Sequence, residues 1–174
     1  METTKKSTRK TAGKISAEKI QETYINALLI NGRRPASVYK FCVDAGMKED
    51  DFYSVAGSFE GLERLIWNSF IETTIARLKA DKTFSSFTGR EKMLAFYYTL
   101  LEELKANRSF ILLSLHGINK LEIIPDFLKS FKATFEQFVN EILTGGKESG
   151  EVANRPFIDK SYPHLFWLHI SFIL

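Results

Sequence analysis

Apolar residues recur along most of this chain three and four positions apart, the interval that stacks side chains on one face of an α-helix. Alternation at every second position, the mark of a half-buried strand, is missing, and Gly and Pro are sparse. The pattern predicts helix after helix. Ser16 caps a first helix to about Ile30, with Ile15 and Ile20 as a hydrophobic staple and Asn31-Gly32 as its end. Ser37 caps a short second helix through about Asp44, Ala45-Gly46-Met47 makes a tight turn, and a third short helix covers about 48–55. After Gly57, Ser58 caps a long helix from Phe59 to about Lys79, with Leu62, Leu65, Ile66, Ile75 and Leu78 on its apolar face.

Four more helices follow. Thr88-Gly89-Arg90-Glu91 is a capping box that opens one reaching about Ala106. Ser109 caps "FILLSLHG", which Gly117 ends. Pro125-Asp126 starts an amphipathic helix to about Leu143, stopped by Gly145-Gly146, and "GGKESGEVANRP" reads as a polar loop. Pro163 suits the first turn of a last, apolar helix that runs to the final residue. The fold class expected is all-α.

Composition narrows the class without deciding it. With 174 residues, 44% hydrophobic and 26% charged, the chain can bury a core of ordinary size. No apolar run reaches the ~18–20 residues needed to span a bilayer, and no signal peptide is visible. The lone cysteine, Cys42, cannot make an internal disulfide, so a cytoplasmic location is expected. A net charge of +3 permits nucleic-acid binding without arguing for it, so the placement of charge matters more. Residues 1–14 lack hydrophobic periodicity and carry five cations against Glu2, a net +4. They are expected to form a disordered basic arm, either a solvating tail or a reach toward phosphates with Lys10 among its contacts.

Two short helices joined by a glycine turn, with one helix before and a long one after, make helix-turn-helix organisation. Ser37-Val38, Phe41-Cys42, Ala45-Gly46-Met47, Phe52-Tyr53, Ser58, Glu60 and Leu62 stand where the residue classes of one bacterial family repeat. Over about residues 15–66 the chain resembles the TetR family of transcriptional regulators. The resemblance implies a three-helix DNA-binding domain over 15–58 and a helical ligand-binding and dimerisation domain over 59–174. Operator DNA, a small hydrophobic or lipid-like effector and a homodimer are the partners it implies, with no cofactor. Candidate DNA contacts are Lys10, Arg33, Arg34, Ser37, Lys40, Lys48, Tyr53 and Ser58. Cys42 stands at a small buried position.

Departures from the family pattern cut against DNA binding. Ala56 replaces an aromatic, Phe59 replaces a phosphate-contacting Lys, and the third helix starts Glu49-Asp50-Asp51. Over residues 16–65, six cations face eight carboxylates, a net of −2. A carboxylate a few ångströms from a phosphate costs roughly 1 kcal/mol in bulk water, yet acids in a first helical turn also stabilise the helix. Two readings stand: an operator-binding regulator, or a TetR-fold lipid- or protein-binding module whose helix-turn-helix survives as scaffold.

Beyond residue 59, Phe127, Phe131, Phe135 and Phe138 share one helix face, joined by Phe96, Tyr97, Tyr98, Phe110, Phe166 and Trp167. They form either a packed core or the lining of an apolar pocket. Phe96, Phe110, His116, Phe131, Phe135 and Trp167 are the candidate ligand residues. The family dimerises through its last two helices, and the sequence stops inside an apolar helix before the final one expected. Phosphate-cradling glycine loops, Cys/His metal spacing and nucleophile elbows are missing from the sequence, and no enzyme is expected.

Overall fold

The computed structural model describes residues 15–116, 124–155 and 159–174. Every regular element among them is helical. The order is α1 (Ala17–Asn31), α2 (Val38–Ala45), α3 (Glu49–Tyr53), α4 (Phe59–Ala80), α5 (Gly89–Ala106), α6 (Arg108–His116), α7 (Lys129–Glu148) and α8 (Tyr162–Ile173). Short 3-10 turns at Phe84–Ser86, Asp126–Leu128 and Asp159–Ser161 precede α5, α7 and α8. The proposed arm with Lys10, and the Gly117 stop, lie outside the described residues.

Local chemistry sets most of these limits. The Ser16, Ser37, Ser58 and Thr88 hydroxyls each accept the backbone N–H three residues on, satisfying a donor the helix start leaves open. Glu91 completes the Thr88 box by accepting the Thr88 N–H at 2.8 Å. Gly32 (φ 65°) and Gly46 (φ 66°) close α1 and α2 in the left-handed region, where a side chain would be strained.

Three expectations are corrected. Ser109 lies inside α6, which starts at Arg108 after Asn107, and is not its cap. Gly145-Gly146 does not stop α7, which continues to Glu148 and turns at Gly150 (φ 79°). Gly146 is buried, and a Cβ there would meet Val152 Cγ2 at 2.8 Å. Its missing side chain lets the returning segment lie against α7, with the Val152 N–H bonded to the Gly146 carbonyl at 2.9 Å. Glu151 then accepts the Gly89 N–H at 2.6 Å, fastening the end of α7 to the start of α5. The glycines serve close approach, not termination. Leu65, assigned to the apolar face of α4, is 41% exposed, because the buried stripe runs instead through Leu62, Ile66, Trp67, Phe70, Ile71, Thr74 and Leu78.

One apolar cluster runs from α1 to α8. In the first part, Tyr24, Phe41, Phe52 and Phe59 meet ring to ring, with centroids 5.3–6.0 Å apart. In the second, α4 and α7 lie side by side, with α5 and α8 packed on α7. The α7 stripe Phe131, Phe135, Phe138, Val139, Ile142 and Gly146 follows the helical repeat and faces this core. The two parts also meet where α1 packs on α6.

Because Gly146 has no side-chain room, Gly146→Leu is expected to destabilise the chain by about 1–3 kcal/mol, as overpacking does. Val152→Ala in the same chain should recover part of that loss, read from urea unfolding midpoints.

Candidate functional site

Three elements build the helix-turn-helix. Val38 and Met47 pack partly buried on the core, and Phe41, Cys42 and Phe52 are buried. Their rings and the left-handed Gly46 fix α3 against α2. Burial pushes the Cys42 thiol above its ordinary range, with the Glu49 and Asp51 carboxylates adding to the shift, so it stays a protonated core side chain.

The acidic start of α3 has a structural role in the fold. The Asp51 carboxylate accepts the Lys48 N–H at 3.1 Å, forming the return half of a capping box. Glu49, Asp50 and Asp51 all occupy the first turn, where the helix dipole favours negative charge. Tyr53 lies 53% exposed at the far end of α3, with Phe52 edge-on beneath it at 5.5 Å.

Several predicted phosphate contacts are already engaged. Arg34 is the most fully engaged: its guanidinium binds the Glu63 carboxylate at 2.8 and 2.5 Å and also pairs with Glu60. This holds the Arg34 pKa above its usual value, mainly through the Glu63 bonds. Lys40 pairs with Asp44 one turn along α2, at 3.0 Å. Lys19 pairs with Glu22, and Arg64 with Asp126 at 2.7 Å. Ser37 and Ser58 use their oxygens as caps. Among the described residues, Arg33 and Lys48 are the cations of residues 16–65 without an ion pair.

Phe59 explains its own substitution. Its ring stacks on Tyr24 at 5.3 Å and meets Phe41 and Phe52 edge-on, while Ala56 is buried and small. Position 59 therefore supplies an aromatic core side chain where the resemblance implied a lysine on phosphate. Tyr24 also donates its phenol hydrogen to Glu63 at 2.6 Å, and burial, then Glu63, pushes its pKa well above the usual tyrosine value.

The predicted ligand residues are drawn together, but around no described cavity. Phe96 meets Phe135 at 5.5 Å, Phe135 meets Trp167 at 5.9 Å and Phe131 meets Trp167 at 6.1 Å. Phe110 packs on Trp67 at 6.3 Å. All five are buried, whereas His116 is exposed at the end of α6. Tyr97, beside them, donates to the Phe166 carbonyl, and burial pushes its phenol up to about 12. The described cavities lie elsewhere. One of about 610 Å³ is a groove between α1 and α2, past Ile30, Ala36 and Asp44. Another, of about 400 Å³, opens where the end of α1, α4, α6 and the 126–128 turn meet. Leu28, Leu113, Pro125 and Phe127 line it; the sequence marks them only as apolar, and nothing in their spacing signals a shared wall.

The second half of the molecule matches the family model described as the Tetracyclin repressor-like, C-terminal domain, over residues 92–174. Residues 92–174 are similar to a TetR C-terminal domain. The all-α architecture fits the TetR-like fold, and the match supports a TetR-like family. No curated protein and no solved structure matches the chain. Among the described residues, no helix is long and apolar enough to cross a membrane.

Two outcomes follow from the charge and ring contacts. Phe59→Lys should lower stability by about 3 kcal/mol or more through loss of a core ring, while raising affinity for random duplex in the folded fraction. Glu60, held below the usual carboxylate range by the backbone and Ser58 at the start of α4 and by Arg34, stabilises the fold above its unfolded value near 4.5. That contribution disappears as pH falls through its lower folded value. Glu60→Gln should therefore flatten the stability–pH curve below about pH 4.5, measured by urea unfolding across an acid series.

Proposed function

We propose that this chain is a TetR-like transcriptional regulator of the cytoplasm. On this reading residues 15–58 bind operator DNA as a homodimer, and residues 59–174 respond to a small hydrophobic ligand and dimerise. The observation that carries the proposal is the joined geometry: α2, left-handed Gly46 and α3 in helix-turn-helix order, led by α4 into a half similar to a TetR C-terminal domain. On this reading Arg33, Lys48, Tyr53, the α2 N-terminus at Ser37 and the basic arm with Lys10 meet the backbone. Lys40 and Ser58 are weaker contacts, because Asp44 and the α4 cap already hold them. Arg34 is a structural cation.

A second reading has its own support. Most cations of the first three helices are neutralised internally, and α3 presents carboxylates in its first turn. Because counterion release supplies most non-specific affinity, a domain with two unpaired cations among its described residues binds DNA weakly without the arm. That favours a TetR-fold binding module that no longer reads an operator.

Binding to the chain's own upstream DNA and to random duplex, compared at about 0.15 M salt, separates the two readings. The regulator reading expects a preference of at least about 10³ for the specific site; equal affinities overturn it. Replacing Glu49, Asp50 and Asp51 by Gln, Asn and Asn should erase site preference in a reader. In a scaffold it should only raise affinity for any duplex.

A further inference from the structure

We propose that the cavity of about 400 Å³ between the end of α1, α4, α6 and the 126–128 turn binds a small apolar carboxylic acid, with Arg33 holding its carboxylate. The proposal narrows, and rests on, the effector part of the reading above, and moves the effector away from the aromatic core. In that core Phe96 packs on Phe135, and Phe131 and Phe135 pack on Trp167, with no described cavity among them. The junction cavity has the size of an ordinary small-molecule site. Leu28 from α1, Leu113 from α6 and Pro125 and Phe127 from the turn give it apolar walls on several sides.

Its charged members select the ligand. Glu63 accepts from Tyr24 and Arg34 on one oxygen and from Arg34 on the other. Asp126 accepts from Arg64 on one oxygen and from Lys129 on the other. The Ser114 hydroxyl donates to the Phe110 carbonyl. Both carboxylates at the cavity are thus neutralised by cations that bind them directly. Arg33 is the lining cation with no ion pair among the described residues, and a guanidinium fork suits a carboxylate. A cationic ligand would have to displace an arginine from Glu63 or Asp126, whereas an anionic one meets a guanidinium that no described carboxylate holds. The cavity's walls come from both parts of the chain, so an occupant bears on the angle between α1 and α4.

Sodium decanoate, titrated into the full chain by calorimetry and tryptophan emission, tests this. Trp67 lies against the cavity wall, its ring tilted on Phe127 at 5.4 Å, so its emission is the reporter of occupancy. One site per chain is expected, weakened at least about tenfold by Arg33→Glu and removed by Leu113→Trp, which fills the cavity. Arg33 and Arg34 also line the α1–α2 groove, so Ile30→Glu, a wall of that groove alone, tells the two sites apart; it and the remote Lys105→Glu should leave binding unchanged. Arg33→Glu sits on an exposed residue and keeps the test valid if Leu113→Trp does not fold. Binding indifferent to Arg33→Glu, or lost in Ile30→Glu, overturns the site. No heat and no emission change up to about 1 mM overturns the ligand class. Decanoate that binds here while leaving DNA affinity untouched supports the site and sinks the regulator reading instead.

Discussion

One carboxylate holds the two parts of the molecule in register. Glu63 stands on α4, accepts the buried Tyr24 phenol from α1, and takes the Arg34 fork from the connection between α1 and α2. Its side chain is 12% exposed and Arg34's 45%, so the pair is partly screened on the arginine side only. Without Arg34 the carboxylate would keep a single donor in a mostly buried place, a loss on the order of 1–3 kcal/mol. Phe59 reinforces the same joint by laying its ring on Tyr24. The position of the helix-turn-helix on the long helix is therefore set by a polar clasp over an aromatic stack, and the rest of the fold is built outward from α4.

The clasp has an electrostatic consequence. A cation placed to hold a carboxylate is not available to a phosphate, and Arg34 is held by both Glu63 and Glu60. Phe59 repeats the trade at a second position, strengthening the core where the TetR pattern implies a lysine. Together with the acidic first turn of α3, these choices favour the stability of the joint over the non-specific attraction that brings proteins to duplexes. Any operator preference must then come from base-edge contacts and from the arm, because the domain's net field offers little.

The hydrophobic repeat made the helices legible, since 3.6-residue periodicity, serine caps and left-handed glycines are local signals. Ser16, Ser37, Ser58, the Thr88–Glu91 box, Gly32 and Gly46 all set ends that their neighbours alone require. Gly145-Gly146 misled for the opposite reason. A helical glycine kept for close approach looks in sequence like a stop, and only the position of Val152 distinguishes the two. Arg34 was legible as a cation near the turn but not as one already engaged, because its partners lie 26 and 29 residues away. The aromatic stripe of α7 was legible as buried; whether its rings close on each other or around a space depends on four helices at once.

On the proposed reading, the junction cavity gives this arrangement a use. Coupling between distant sites needs an element whose two arrangements a ligand can tell apart. Here α1 touches α6 directly, α4 carries Glu63 toward α1 and Arg64 toward Asp126, and the cavity lies between them. An occupant that pressed Leu28 from Leu113, or drew Arg33 inward, would act on the same joint that Glu63 holds. It need not reach α3 itself. Tilting α1 against α4 would move the whole helix-turn-helix, since its own rings tie α2 and α3 to Tyr24 and Phe59. A ligand buried deep in the aromatic core would first have to open packed rings before it moved anything, whereas one at the junction works at the point where the two parts already meet.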